Sequence, residues 1–144
     1  KGTEKAAQRV SKPERTWKMS ENNYEALLGC GFDPKEALER FMNNQALLEK
    51  FLGKFLEDPT YSALCGAMER SDSAEAFRCV HTIKGVAGNL ALHGLYDAAC
   101  RLTETLRGAQ SMEQAEQRGA GAAFDALCKQ YTDTCDAIKS CIER

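Results

Sequence analysis

The chain has 144 residues, enough for one independently folding domain and a terminal segment, and its 43% hydrophobic and 28% charged residues are typical of a globular protein. Its formal net charge of −2 argues against a dedicated nucleic-acid-binding protein, because such proteins concentrate basic residues on one surface. No apolar run approaches the roughly 18–20 residues that cross a bilayer, which argues against direct membrane insertion.

The first 20 residues differ in charge from the rest of the chain. They carry six basic side chains against two acidic ones, so the remainder is acidic. We predict a flexible basic leader or linker over residues 1–20 and one folded domain over residues 21–144. Because Lys1 stands where a start methionine is expected, we interpret the chain as a piece of a longer protein or a processed product.

Helical signals then follow one another, and nothing shows the alternation of a β-strand. Residues 24–28 predict a short helix that two glycines close. Asp33 is placed to cap the next helix, with Pro34 at its first position and Glu36 able to close a capping box. These elements are the short N-terminal helices of the predicted fold.

Longer amphipathic segments come next, with apolar residues at three- and four-residue spacing. Each begins at a polar capping residue or an Asp-Pro pair, and the starts are Asn44, Asp58-Pro59, the 71–73 stretch and Ser111. One segment runs from about Ser73 to Leu92, and a corner at His93 and Gly94 separates it from a helix over Leu95–Arg107. Four sizeable helices with short connections favour an all-α, antiparallel four-helix bundle.

Seven cysteines do not form a recognisable disulfide or metal pattern. Their number is odd, no CxxC pair occurs, and most occupy apolar positions of predicted helices. Free cysteine is commonly a small buried hydrophobic residue, so we predict reduced, structural cysteines. This composition favours the cytoplasm over an oxidising compartment.

Residues 76–90 differ from the other helical segments. At about 100° per residue, His81, Lys84, Gly85 and Gly88 fall on one face of the helix. A neighbouring stripe is apolar and is predicted to face the core; it comprises Val80, Ile83, Ala87 and Leu90. Each glycine costs up to about 1 kcal/mol inside a helix, so two on the histidine side indicate that another surface approaches the imidazole closely.

The chemistry of these residues suits phosphoryl transfer. A neutral imidazole is a nucleophile toward an activated phosphoryl group, and Lys84 is placed to stabilise the charge on the phosphoryl oxygens. The same residues are also compatible with a structural or surface histidine and with glycines that permit tight helix packing. A single His-x-x-Lys pair does not decide between these interpretations.

The segment His81–Leu90, with the sequence HTIKGVAGNL, closely resembles the H-x-[LIF]-K-G-[SAV]-[AS]-[GS]-x-[LIV] signature of the histidine phosphotransfer (HPt) family. The likeness extends more loosely from about Tyr24 to the C-terminus. It implies that His81 is the phosphoacceptor, that Lys84 contacts the phosphoryl group and that Gly85 lies beneath a docked partner. Gly88 and Asn89 belong to the same partner-facing surroundings.

Two positions depart from the family pattern. Several members carry a Gln on the following helix that orients the imidazole, and the matching residue here is Thr103, beside Glu104. The orienting group therefore stays open. The family often has Gly after the last Leu of the signature, where this chain has Ala91, a mild change for the chemistry.

The resemblance implies a phosphorelay intermediate that accepts a phosphoryl group on His81 from a receiver-domain aspartate and passes it to another response regulator. The implied partners are receiver domains and a sensor histidine kinase, with Mg²⁺ on the receiver and no cofactor on this chain. No Walker or kinase-type phosphate loop occurs, so we expect no autokinase activity and only a shared catalytic role. We expect a cytoplasmic monomer, free or as a cytoplasmic module of a membrane-bound hybrid kinase.

Two alternatives remain open at this point. One is the phosphotransfer domain of a chemotaxis-type histidine kinase, and the other is a helical adaptor that binds receiver domains without being phosphorylated. The second histidine, His93, is predicted to face solvent at a helix corner. Neither histidine has Cys, Asp or Glu at ligand spacing, so no metal site is predicted.

Overall fold

The computed structural model describes residues 24–142, and the predicted leader over residues 1–20 lies outside them. The described residues form eight α-helices: α1 (Glu25–Gly29), α2 (Pro34–Arg40), α3 (Gln45–Leu56), α4 (Thr60–Glu69), α5 (Ser73–Asn89), α6 (His93–Leu106), α7 (Met112–Gln117) and α8 (Ala120–Ile142). Their only β-type pairing is one antiparallel bridge between Phe32 and Leu92. None of these helices combines the length and the apolarity that crossing a bilayer demands.

The fold is the predicted helical bundle with additional short helices. Helix α5 packs between α4 and α6, α6 packs in turn against α8, and α1 and α3 also lie against α8. Helices α4 and α8 also meet, since the rings of Tyr61 on α4 and Tyr131 on α8 stack with their centroids 4.0 Å apart. Helices α1 and α2 are the extra N-terminal elements.

The core is formed by one apolar stripe from each helix. The stripe predicted on α5 is confirmed, since Val80, Ile83, Ala87 and Leu90 are all buried. Full burial of a Leu, Ile or Val side chain contributes about 1.5–3 kcal/mol, so these contacts fix the rotation of α5 about its axis. The face that carries His81 is consequently turned toward solvent.

Side-chain caps fix where most of the helices begin. In each case the side chain of the capping residue accepts a hydrogen bond from the backbone N–H three residues further on, and these residues are Asp33, Asn44, Asp72 and Ser111. At α4 the Asp58 carboxylate accepts from the Thr60 N–H at 2.8 Å, directly before the helix. The predicted helix starts are therefore confirmed, each by a satisfied backbone donor.

The corner after α5 lies earlier than predicted. Helix α5 ends at Asn89 and α6 begins at His93, so the corner comprises Leu90–Leu92 and His93 is helical. Ala91 adopts a φ of 57° there, and the Leu92 N–H donates to the Ala87 carbonyl at 2.9 Å. That left-handed conformation is one that glycine adopts without strain, which accounts for the glycine that the resembling family often has at this position.

A short backbone pairing ties this corner to the N-terminal helices. The Asp33 N–H donates to the Ala91 carbonyl at 3.0 Å, and the His93 N–H donates to the Gly31 carbonyl at 3.1 Å. A Cβ at Gly94 would overlap the Cys30 carbonyl oxygen, so the close approach of the two segments requires glycine. The start of α2 is thereby held beside the start of α6.

All seven cysteines are free thiols, and Cys79 and Cys141 are buried. Burial raises the pKa of the Cys79 and Cys135 thiols. A raised pKa disfavours the thiolate, so these two side chains behave as small apolar groups in the helix interfaces.

Candidate functional site

The candidate site lies on α5, whose solvent-facing side carries His81. The imidazole is exposed and Lys84, one turn further on, is partly exposed. No acidic side chain pairs with the Lys84 ammonium group within residues 24–142. An imidazole and an uncompensated positive charge therefore share one helix face.

A groove of about 440 Å³ surrounds these two side chains. Helix α5 forms one wall, and residues of α2 and α6 form the other. The lining residues are Glu36, Arg40, His81, Lys84, Gly85, Gly88, Asn89, His93 and Tyr96. Five of the six residues that the sequence singled out are therefore brought together, and Thr103 is not among them.

The two glycines of the groove have different surroundings. A Cβ placed on Gly85 meets no heavy atom within 4 Å, so this position is open surface. A Cβ on Gly88 would lie 3.5 Å from the Tyr96 ring, an ordinary van der Waals contact. Gly85 thus provides the unobstructed approach to the imidazole, and Gly88 lies beside the Tyr96 ring.

The contact that the structure gives the His81 ring is aromatic. The rings of Phe77 and His81 lie 5.9 Å apart at an interplanar angle of 44°, and the Arg107 guanidinium lies 5.6 Å from the centre of the Phe77 ring. Thr103 is buried, and its hydroxyl donates to the Ala99 carbonyl at 2.7 Å. Within residues 24–142 no hydrogen bond reaches the imidazole, so packing on Phe77 restrains it instead.

An ion-pair network occupies the wall opposite His81. The Glu36 carboxylate binds Nε2 of His93 at 2.8 Å through one oxygen, and its other oxygen accepts from Nε and Nη2 of Arg40 at 3.2 and 3.0 Å. The hydrogen bonds from His93 and then from Arg40 hold the pKa of the Glu36 carboxyl below its usual range. Glu36 is therefore an ionised anchor for both of its neighbours near neutral pH.

The surroundings of the His93 side chain differ from the prediction. Its side chain is 45% exposed, yet it is bound to a carboxylate rather than simply facing solvent. Glu36 precedes His93 by 57 residues, and α2 carried no signal that linked it to the histidine face. Sequence spacing therefore missed Glu36 and Arg40 as lining residues of the groove.

The sequence model of the Hpt domain family matches residues 44–141, which include His81, Lys84, the whole of α3 to α7 and all but the last residue of α8. The chain belongs to the Hpt domain family. Its members carry out phosphotransfer in two-component signalling and interact with receiver domains and kinases. No curated protein and no solved structure matches the chain at a significant level.

Three side chains of this Hpt domain present donor atoms that a metal ion could use. Oxygens of Asp33 and Glu36 and a ring nitrogen of His93 all lie within 4.8 Å of one another. A metal ion there would break the Glu36–His93 hydrogen bond and share Glu36 with the Arg40 guanidinium, whose positive charge opposes another cation. We therefore interpret the cluster as an ion-pair network.

A second groove of the Hpt domain, of about 520 Å³, adjoins the first. Most of its wall is apolar, and Phe41 and Phe51 form part of it with ring centroids 5.4 Å apart. Arg40 and Asn89 line both grooves and mark their boundary. Sequence periodicity could not separate such surface aromatics from core residues, because both recur at helical spacing.

Proposed function

We propose that this Hpt domain is a phosphorelay intermediate in which His81 accepts a phosphoryl group from the aspartate of one receiver domain and passes it to the aspartate of another. The observation that carries the proposal is an exposed His81 beside Lys84, next to a glycine with open space above it. A nucleophile that serves two different partners must be reachable from outside, and this one is.

The transfer is a pair of substitutions at phosphorus. A ring nitrogen of His81 attacks the phosphorus of the aspartyl phosphate, an N–P bond forms, and the P–O bond breaks so that aspartate leaves as a carboxylate. The other ring nitrogen keeps its proton. In the second step the aspartate of the next receiver attacks, the N–P bond breaks, and the neutral imidazole is regenerated.

Lys84 supplies charge for both substitutions. The transferred group spreads negative charge over its three outer oxygens, and an ammonium group one turn from the imidazole stabilises that charge. We propose that the remaining machinery, including Mg²⁺, belongs to the receiver domain. The phosphoryl donor is another protein in this scheme, since the sequence contains no nucleotide phosphate loop.

The apolar groove beside the site supports the choice of a protein partner. Phe51 is 41% exposed, and exposed aromatic rings next to a polar site are typical of protein interfaces. The groove is continuous with the His81 groove through Arg40 and Asn89. A receiver domain that covers Gly85 can therefore bury the Phe51 ring at the same time.

The test is transfer of labelled phosphate from phosphorylated receiver domains in the presence of Mg²⁺. We expect label on the chain that is labile to acid and stable to alkali, and that moves on to a second receiver. The variant His81→Gln should abolish it, and Lys84→Gln should slow it by about 100-fold or more, the usual effect of removing one charge-stabilising group. Phe51→Ser should weaken receiver binding, whereas Leu28→Ser, which changes an apolar residue that is 46% exposed and lines neither groove, should not.

Two results would overturn the proposal. Label that arrives only from a kinase ATP-binding domain with ATP, and never from a receiver, indicates the chemotaxis-type function. Receiver binding that survives His81→Gln, with no label on the wild-type chain, indicates an adaptor.

A further inference from the structure

The family match covers only part of the His81 groove. The α5 wall and the α6 part of the opposing wall lie inside the matched region, whereas Glu36 and Arg40 on α2 precede residue 44. The α2 part of the opposing wall is therefore a feature of this chain that the family match does not cover. The charged groups of α2 act on whatever occupies the groove.

Arg40 is held in place at the rim of this wall. One Glu36 oxygen accepts from Nε and Nη2 of Arg40, and the other is occupied by His93, so the carboxylate is fixed from two sides. A guanidinium group has five N–H donors, and Glu36 takes two of them. Within the described residues the other three have no hydrogen-bond partner, and the Arg40 side chain is 49% exposed.

The charges of the groove show what Arg40 contributes. The lining residues whose side chains are ionised near neutral pH, histidines aside, are Glu36, Arg40 and Lys84. Without Arg40, the charges of Lys84 and Glu36 cancel. With Arg40, the lining has a net positive charge, which an incoming phosphoryl dianion requires.

We propose that Arg40 is a second cationic ligand of the phosphoryl group on His81, acting together with Lys84. The inference rests on the proposed function, because it takes His81 as the phosphorylated residue. A planar guanidinium with several N–H donors remaining matches the spacing of phosphoryl oxygens, and its anchoring on Glu36 keeps it ordered before the phosphoryl group arrives. Helix α2 thus contributes directly to the phosphorylated state.

The experiment phosphorylates the purified chain chemically with phosphoramidate and follows the phosphorus NMR signal of phospho-His81 as a function of pH. A nearby cation favours the dianion, so removing it raises the pKa of the phosphoryl group. With Lys84, Glu36 and His93 unchanged, we expect Arg40→Gln to increase the proton affinity of the phosphoryl group by about threefold. The signal is assigned by its loss in His81→Gln.

The matched control is Arg70→Gln. Arg70 pairs with Asp72 ahead of α5, more than two helical turns before His81, and it lines neither groove. This variant removes the same charge and should leave the titration unchanged, whereas Arg40→Lys should restore part of the wild-type behaviour. A titration that Arg40→Gln does not move, or that Arg70→Gln moves equally, overturns the assignment of Arg40.

The two sources of phosphate distinguish a failure of the Arg40 proposal from a failure of the phosphorelay proposal. A chain that accepts phosphate on His81 from phosphoramidate but not from any receiver overturns the relay. The titration of phospho-His81 then still tests whether Arg40 binds the phosphoryl group. A chain in which His81 accepts no phosphoryl group from either source overturns both.

Discussion

At His81 the exposure of the imidazole follows from the rotation of α5. The helix buries Val80 and Ile83 on either side of the histidine in sequence, so the histidine falls just beside the core stripe. The sequence alone predicts that placement, because it depends only on helical geometry and local spacing. The chemical surroundings of the imidazole also include Phe77, 5.9 Å away one turn earlier on the same helix.

Gly85 provides the most direct test of close approach by a partner. We expect Gly85→Gln to slow phosphotransfer from a receiver by about tenfold or more, because the new side chain occupies the open surface beside the imidazole. The same change should raise the free energy of unfolding by up to about 1 kcal/mol, since Gln is the better helix former. Labelled transfer and urea unfolding measure the two effects.

Gly85→Ala is the matched control for this variant. It gains a similar helix preference and adds only one methyl group, so we expect transfer close to that of the wild type. A Gly85→Gln variant that is folded and transfers at the normal rate would show that no partner surface comes near. An unfolded variant would instead show that the glycine is needed for helix packing.

Among the elements, the turn between α4 and α5 determines where the histidine helix begins. Ser71 has a φ of 59°, and the Asp72 N–H donates to the Ala67 carbonyl at 2.8 Å, which closes α4. The Asp72 side chain then accepts from the Glu75 N–H at 3.1 Å and starts α5. Two consecutive residues therefore end one helix and begin the next.

The left-handed backbone conformation of Ser71 is strained for a residue with a Cβ atom, whereas glycine adopts it without strain. A non-glycine residue in the left-handed region destabilises the folded state by about 1–2 kcal/mol, and a change to glycine removes that strain. Glycine also increases the conformational entropy of the unfolded chain, which offsets part of the stabilisation. We expect Ser71→Gly to raise the free energy of unfolding by about 0.5–1 kcal/mol, measured by urea denaturation. Ser71→Ala, which keeps the strain, should give no gain, and equal stability of the two variants would contradict this account.

At the scale of the whole molecule, buried phenols make the bundle sensitive to alkaline pH. Burial is the main cause that raises the pKa of Tyr24 and Tyr131, with the neighbouring Glu49 adding to it at Tyr24 and Cys135 at Tyr131. In the unfolded chain a tyrosine has a pKa of about 10. The protonated phenols therefore stabilise the fold fully below about pH 10, and this contribution is lost as the pH rises further toward the higher folded pKa values.

We expect the free energy of unfolding to fall steeply above about pH 10, with phenolate absorbance appearing together with loss of helicity. Urea unfolding at a series of alkaline pH values, followed by circular dichroism and ultraviolet absorbance, measures this. The variant Tyr131→Phe removes one of the linked protons and should flatten the slope. Ionisation of all four tyrosines in a chain that stays helical would contradict the linkage.

Most of the fold was predictable because its signals are local. The caps at Asp33 and Asn44 and the buried stripe of α5 each depend on residues within one or two turns. The prediction was wrong at the corner after α5, where Ala91 adopts a left-handed conformation without the glycine that usually signals it. The hydrogen bond from the Asp33 N–H to the Ala91 carbonyl stabilises this corner in the fold, and local sequence does not reveal it.

The sequence by itself determined the helical bundle, its helix starts and the single face that carries His81 and Lys84, because side-chain periodicity and capping act over a few residues. Only the tertiary structure decided which groups lie opposite that face. Glu36 and His93 meet although they are 57 residues apart in sequence, and Arg40 joins them because the bridge at Phe32 holds α2 against α6. Contacts between distant segments depend on how whole helices pack, which no local spacing encodes.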